Sequence, residues 1–174
     1  SQGAVSIGAG FTYTPAAPRD ELVAVFRVAA VAKTPVHVHI RGGVAGLNEA
    51  LSLADETHAG LHVVHLNSAG LAETPAMLKM LSDARARGLD VTTEAYPYAA
   101  GMTEIQSATI QDRYRAAPIE RLAEMEWPTT GERLNRESFE RYRQIGGPVV
   151  THTNTEQMVA AAIGSPLTMI ASDA

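Results

Sequence analysis

The sequence predicts an α/β fold of parallel βα units, the C-terminal part (about six strands) of a TIM-type (β/α)8 barrel that is incomplete in this chain. Three observations carry that expectation. Short β-branched runs alternate with amphipathic helices at a spacing of about 25–30 residues, the rhythm of parallel βαβ units. The 174 residues fall short of the roughly 250 residues and eight strands of a complete barrel. Ionisable side chains collect at the C-terminal ends of the strands, the rim on which barrel enzymes keep their chemistry. The alternation alone also allows a doubly wound open sheet; the rim pattern favours the barrel.

The first strand is read from Ala4-Val5-Ser6-Ile7-Gly8 to Tyr13, turned at Thr14-Pro15. A helix follows from Asp20 to Lys33, carrying Leu22, Val23, Val25, Phe26, Ala29 and Ala30, with Asp20 and Glu21 suited to its positive end. Val36-His37-Val38-His39-Ile40 is the most regular strand of the chain. Its alternation sets both histidines on one face and the aliphatics on the other. A helix from about Ala45 to Ala59 is expected to end at Gly60, the residue type suited to a left-handed turn. The strand Leu61 to Leu66 leaves through Asn67-Ser68-Ala69-Gly70, and the next helix is punctuated by Thr74 as cap, Pro75 in the first turn and Gly88 as terminator.

Leu89 to Tyr98 is read as a strand ended by Pro97, which lacks a ladder donor, so Tyr96 and Tyr98 are expected to project into a loop. Between about 100 and 134 the rhythm weakens, leaving an elaborated loop with one short helix near Pro118 to Met125. Regular alternation resumes with a helix from Asn135 to Ile145, a strand Pro148 to His152, a helix Asn154 to Ile163 and a last strand Leu167 to Asp173. The chain is thus read as one partial barrel domain over residues 1–174.

Composition narrows the function classes. An apolar content of 45% and a net charge of −5 describe an ordinary globular chain and give no electrostatic reason to expect nucleic acid or an anionic membrane as partner. No apolar run reaches spanning length and no signal pattern opens the sequence, so the expected location is cytoplasmic. Without cysteine there are no disulfides and no thiolate ligands. Neither a G-x-G-x-x-G after the first strand nor a P-loop lysine motif occurs, which argues against nucleotide binding.

His39, His65, Glu94, His152 and Asp173 fall at or near strand ends. In order, His39-Ile40-Arg41, then Val64-His65-Leu66-Asn67, then Asp90 to Thr103 with its Tyr96-Pro97-Tyr98, then Met169-Ile170-Ala171-Ser172-Asp173 resemble the N-acyl-D-amino-acid deacylases, or D-aminoacylases, a branch of the metal-dependent amidohydrolase superfamily. The resemblance spans nearly the whole chain and is weakest between 104 and 146. It implies zinc held by His39 and His65, Asp173 as the base that activates water and then protonates the leaving amine, and Tyr96 as a holder of the substrate carboxylate. It implies a small amide as substrate. Arg41, Asn67, Glu94 and His152 are the further candidates for substrate contact, Arg41 and Glu94 also as one another's charge partner.

The chain departs from the family pattern in three places. Asn67 stands where the family usually has a lysine, Met102 where it often has a serine, and Glu94 where aspartate is more common. Losing a cation and a hydroxyl weakens the hold on a carboxylate. The family's H-x-H pair and its metal-bridging cysteine would both precede Ser1, so the remaining ligands for one or two divalent ions are expected upstream and the isolated chain is expected to be inactive. His37 is read as a packed interior residue, His58 as a surface cap, and His62 as facing a helix, away from His65. Two other classes stay open: an amidohydrolase for cyclic amides, dipeptides or carbamoyl compounds, and a non-catalytic incomplete barrel that forms a homo-oligomer over its exposed sheet edges.

Overall fold

Alternating β-branched and amphipathic segments do fold as parallel βα units. The computed structural model of the chain describes residues 3–173. In chain order these form β1 (Ile7–Gly10), a 3-10 turn (Phe11–Tyr13), α1 (Arg19–Ala32), β2 (Val36–His39), α2 (Gly43–Thr57), β3 (Leu61–Val63) and α3 (Leu66–Gly70). A second 3-10 turn (Leu71–Glu73), α4 (Thr74–Ala86), β4 (Val91–Ala95), β5 (Gly101–Glu104), α5 (Ala108–Tyr114) and α6 (Ile119–Leu122) come next. The remainder is β6 (Met125–Trp127), β7 (Glu132–Arg133), α7 (Arg136–Ile145), β8 (Pro148–Thr151), α8 (Glu156–Ile163) and β9 (Thr168–Ile170). Among the described residues no helix is long and apolar enough to cross a membrane.

The chain divides into two compact units, one of residues up to Pro97 together with those from Gln157 on, the other Tyr98–Glu156. The first carries a five-stranded sheet in the order β1-β2-β3-β4-β9, every neighbour parallel. Register fixes its two faces. Val36, Val38, Leu61, Val63 and Val91 are buried with Phe26, Leu47, Leu53, Met77 and Leu81 of the covering helices in one core. The opposite face is polar: Gly8 pairs with His37, Gly10 with His39, and His37 with His62, which in turn lies across from Thr92. Five strands stand here, not six, because Pro148–Thr151 belongs elsewhere.

The stretch expected as an elaborated loop is folded. With α7 and β8 it builds a second sheet, in the order β5-β8-β6-β7, with antiparallel pairing. Its own core holds Ile105, Ile110, Tyr114, Leu122, Met125, Phe139 and Val149. Helix α7 begins at Arg136 behind a reciprocal cap in which Ser138 N–H donates to Asn135 Oδ1 at 2.9 Å and Asn135 N–H donates to Ser138 Oγ at 2.9 Å.

Several boundaries move for local reasons. Helix α2 ends at Thr57 with His58, not Gly60, in the left-handed conformation. Thr74 lies inside α4 rather than capping it, its hydroxyl donating to Leu71 O at 2.7 Å. β3 stops at Val63, and β9 is limited to Thr168–Ile170. Tyr96 does not project into a loop: it is 2% exposed, whereas Tyr98 is 54% exposed.

Candidate functional site

The polar face of the parallel sheet carries His39 and Glu94, with His65 at its C-terminal end, among the residues singled out by the sequence. His39 ends β2 and His65 follows β3 by two residues. Their imidazoles meet, His39 Nδ1 and His65 Nε2 lying 2.5 Å apart with ring centroids 4.4 Å apart. His65 is delivered by backbone geometry: its φ of 35° puts a side-chain-bearing residue in the left-handed region, where the chain leaves β3 for α3. Asp173, three residues past β9, is also left-handed, at φ 52°. Glycines on β1 leave room here. Gly10, level with His39, has no Cβ, and one would meet the Tyr13 ring at 3.0 Å. Tyr13 instead lies over His39, centroid to centroid 5.8 Å.

Burial and the neighbouring His65 hold His39 below the ordinary imidazole pKa, while the charges of Asp173 and Glu94 act in the opposite sense. Burial is also the first cause that lowers His37, followed by its neighbour His62, with Glu94 again opposing. Both imidazoles are therefore biased toward the neutral form that binds metals.

His62 is the residue that the sequence misplaced. It does not face a helix but lies on the polar face, 3% exposed, its ring 4.5 Å from that of His37. Its Nδ1 is 2.8 Å from Thr92 Oγ1 and its Nε2 is 3.1 Å from Glu94 Oε2. Glu94 is thus the partner of His62, and Arg41 has a different one. The Arg41 guanidinium pairs with Glu49 at 2.5 Å, donates to Ala17 O at 2.9 Å and Thr14 O at 3.2 Å, and lies over Phe11.

Asn67 is fully buried and clamps the chain after β4: its Nδ2 donates to Tyr96 O at 3.0 Å and its Oδ1 accepts from Tyr96 N–H at 3.4 Å. His152 lies in the second unit, one residue past β8, with Nε2 3.0 Å from Glu126 Oε2.

Whether these residues suit a metal can be tested on their donor atoms. Two imidazole nitrogens converge, and His65 Nδ1 is buried without a hydrogen-bond partner. A tetrahedral zinc with Zn–N near 2.0–2.1 Å separates two ligand nitrogens by about 3.3 Å, so the rings need to part by less than about 1 Å. The pair fits a divalent ion in kind. Among the described residues no group of three or more ligating side chains forms, so it supplies fewer than the three protein ligands usual in a catalytic zinc site.

No sequence-family model matches this chain. Solved structures do match its fold. N-acyl-D-glutamate deacylase from Bordetella bronchiseptica, solved with zinc and a phosphonate mimic of the reaction's tetrahedral intermediate, is similar over 98% of this chain and 39% of its own, with 23% identity and a TM-score of 0.80. D-aminoacylase, described as defining a novel subset of amidohydrolases, is similar over 98% of this chain and 39% of its own at 22% identity and a TM-score of 0.69. A D-aminoacylase structure concerned with a binuclear metal centre aligns over the same shares at 21% identity and a TM-score of 0.70. The chain therefore has the fold of part of an amidohydrolase barrel and spans about two-fifths of the length of these proteins. The resemblance carried by the motifs holds at the level of the fold.

Proposed function

We propose that this chain is part of a zinc-dependent amidohydrolase that cleaves the amide bond of N-acyl-D-amino acids or similar compounds. The observation that supports it most is the convergence of His39 and His65 from two strand ends, with the Asp173 charge acting on His39. His39 and His65 would hold the ion, with the remaining ligands, for one or two ions, supplied from upstream of Ser1. When bound, the ion polarises a carbonyl and acidifies water. Asp173 takes a proton from the attacking water and returns it to the leaving nitrogen as the C–N bond breaks and a C–O bond forms. Glu94 adds negative charge on the same face. Tyr96 is the candidate holder of the substrate carboxylate, Asn67 fixes its backbone, and Arg41 ties the β1–α1 connection to α2.

The D-aminoacylase and deacylase structures that share the fold, one of them with zinc bound, support the same class. The experiment is zinc titration of the chain by calorimetry. Weak binding to the unaltered chain, lost at least about tenfold in His39→Ala and in His65→Ala, is expected; binding that neither substitution changes would overturn the reading. Turnover of N-acetyl-D-amino acids by residues 1–174 at enzyme-like rates would overturn the requirement for upstream ligands.

One observation favours a second reading, a substrate without a carboxylate, such as a cyclic amide. Asn67 and Arg41, the polar groups nearest the role of a carboxylate anchor, are spent on intrachain bonds. In a binding screen with zinc present, preference for N-acyl-D-amino acids over cyclic amides would rule it out.

A further inference from the structure

We infer that His62 is a positioning residue: hydrogen-bonded between Thr92 and Glu94, it fixes the Glu94 carboxylate on the sheet face that carries His37 and His39. The register places all the parts. Thr92 lies directly across from His62 in the β3–β4 pairing, and Glu94 is two residues further toward the C-terminal end of β4. A carboxylate only accepts, so the 3.1 Å contact requires a proton on His62 Nε2. In the neutral ring Nδ1 is then an acceptor, and the Thr92 hydroxyl at 2.8 Å donates to it. Every polar atom of the buried ring is satisfied, and the His37 ring, 4.5 Å away centroid to centroid, closes one side.

A ring held at both nitrogens cannot turn without stranding a buried polar atom, so Glu94 is held too. Its carboxylate stands on the sheet face of His37 and His39, where its charge would attract a cation held between His39 and His65. This role rests on the metal-hydrolase reading. Nothing in the motif order marks His62, since its meaning comes from cross-strand contacts.

The test uses the whole chain, with zinc as the probe and amide NMR spectra to establish that each variant is folded. His62→Leu is expected to weaken zinc binding about tenfold, the lower end of the effect of groups that support metal ligands. Glu94→Gln is expected to do the same, and the double variant no worse than either single change. His62→Gln, whose amide still donates toward Glu94, recovers most of the loss. Thr92→Val, nearly isosteric, weakens binding in the same direction without a change of core volume and serves if His62→Leu does not fold.

Additive losses, or unaltered zinc binding in folded His62→Leu, would overturn the role. A readout independent of metal is the nitrogen-15 spectrum of the histidines in the zinc-free chain: Nε2 of His62 is expected to carry a proton, and a bare Nε2 would overturn the role alone. Zinc failing to bind the unaltered chain would instead overturn the metal reading and the role with it.

Discussion

His39 and His37 are imidazoles whose surroundings disfavour charge, and this gives the chain a pH dependence of definite sign. Both have native pKa values below the ordinary imidazole value, first through burial and then through a neighbouring histidine, His65 beside His39 and His62 beside His37. The unfolded chain therefore takes up protons first as pH falls, and stability falls with it. The contribution is fully present above the unfolded value near 6.5 and is lost as pH drops from there toward the lowered native values. Thermal melting of the zinc-free chain from about pH 7.5 to about pH 5.5 should show this decline, and a His37→Asn/His39→Asn double variant should flatten it; equal slopes would refute the assignment. A second residue-scale outcome concerns Asn67. It is fully buried and bonded twice to the Tyr96 backbone, so installing the lysine that D-aminoacylases usually carry there would strand a charge in the interior. Asn67→Lys should cost about 3–5 kcal/mol, read as a fall in the denaturant midpoint, and an unshifted midpoint would show that a lysine finds another route out.

Helix ends and strand ends decide what could be read in advance. α2 ends on His58 at φ 57°, a conformation strained for any residue with a Cβ. His58→Gly should therefore raise stability by about 1 kcal/mol, and a destabilised variant would mean that the imidazole makes a contact worth more than the strain. The sequence pointed to Gly60 because glycine is the usual left-handed residue, yet Gly60 is close packed: a Cβ there would meet Asp90 Oδ2 at 3.0 Å. Strand β2 was legible because Val36, Val38 and the two histidines alternate without a break and the strand is buried on its aliphatic side. His62 was not, for a countable reason. Parity set His62 and His65 on opposite faces only if the strand ran through both, and β3 ends at Val63 with His65 turned left-handed. Pro148–Thr151 was legible as a strand, but the pairing that makes it part of a second unit was hidden, since β6 and β7 are only three and two residues long. Periodicity has nothing to work on at that length, and core residues such as Ile105 and Leu134 fall just outside the strands. The meeting of His39 and His65 follows from their positions at neighbouring strand ends, whereas the contacts of Glu94, Arg41 and Asn67 depend on neighbours that no linear spacing encodes.

At the scale of the whole molecule, the feature that asks for a partner is the parallel sheet of the first unit. β1 and β9 are its two edges, and among the described residues neither has a strand on its outer side. The elements next to those edges also expose apolar side chains. On α1, which follows β1, Val28 and Val31 are 61% and 87% exposed, and on β9 Met169 and Ile170 are 51% and 62% exposed. Edge strands flanked by apolar surface associate unless charge or a bulge prevents it. A second copy can satisfy both edges at once, the β1 edge of one chain meeting the β9 edge of the other. Such a contact uses two different patches, so it closes into a ring or runs on as a filament. Purified residues 1–174 should therefore show concentration-dependent association in sedimentation velocity, insensitive to salt because the patches are apolar. Val31→Glu on α1 and Ile170→Lys on β9 each alone should shift the distribution toward monomer, because a head-to-tail contact fails when either half is spoiled. A chain that sediments as a monomer up to its solubility limit would show that these edges are tolerated in water, and association that neither substitution reduces would place the contact elsewhere.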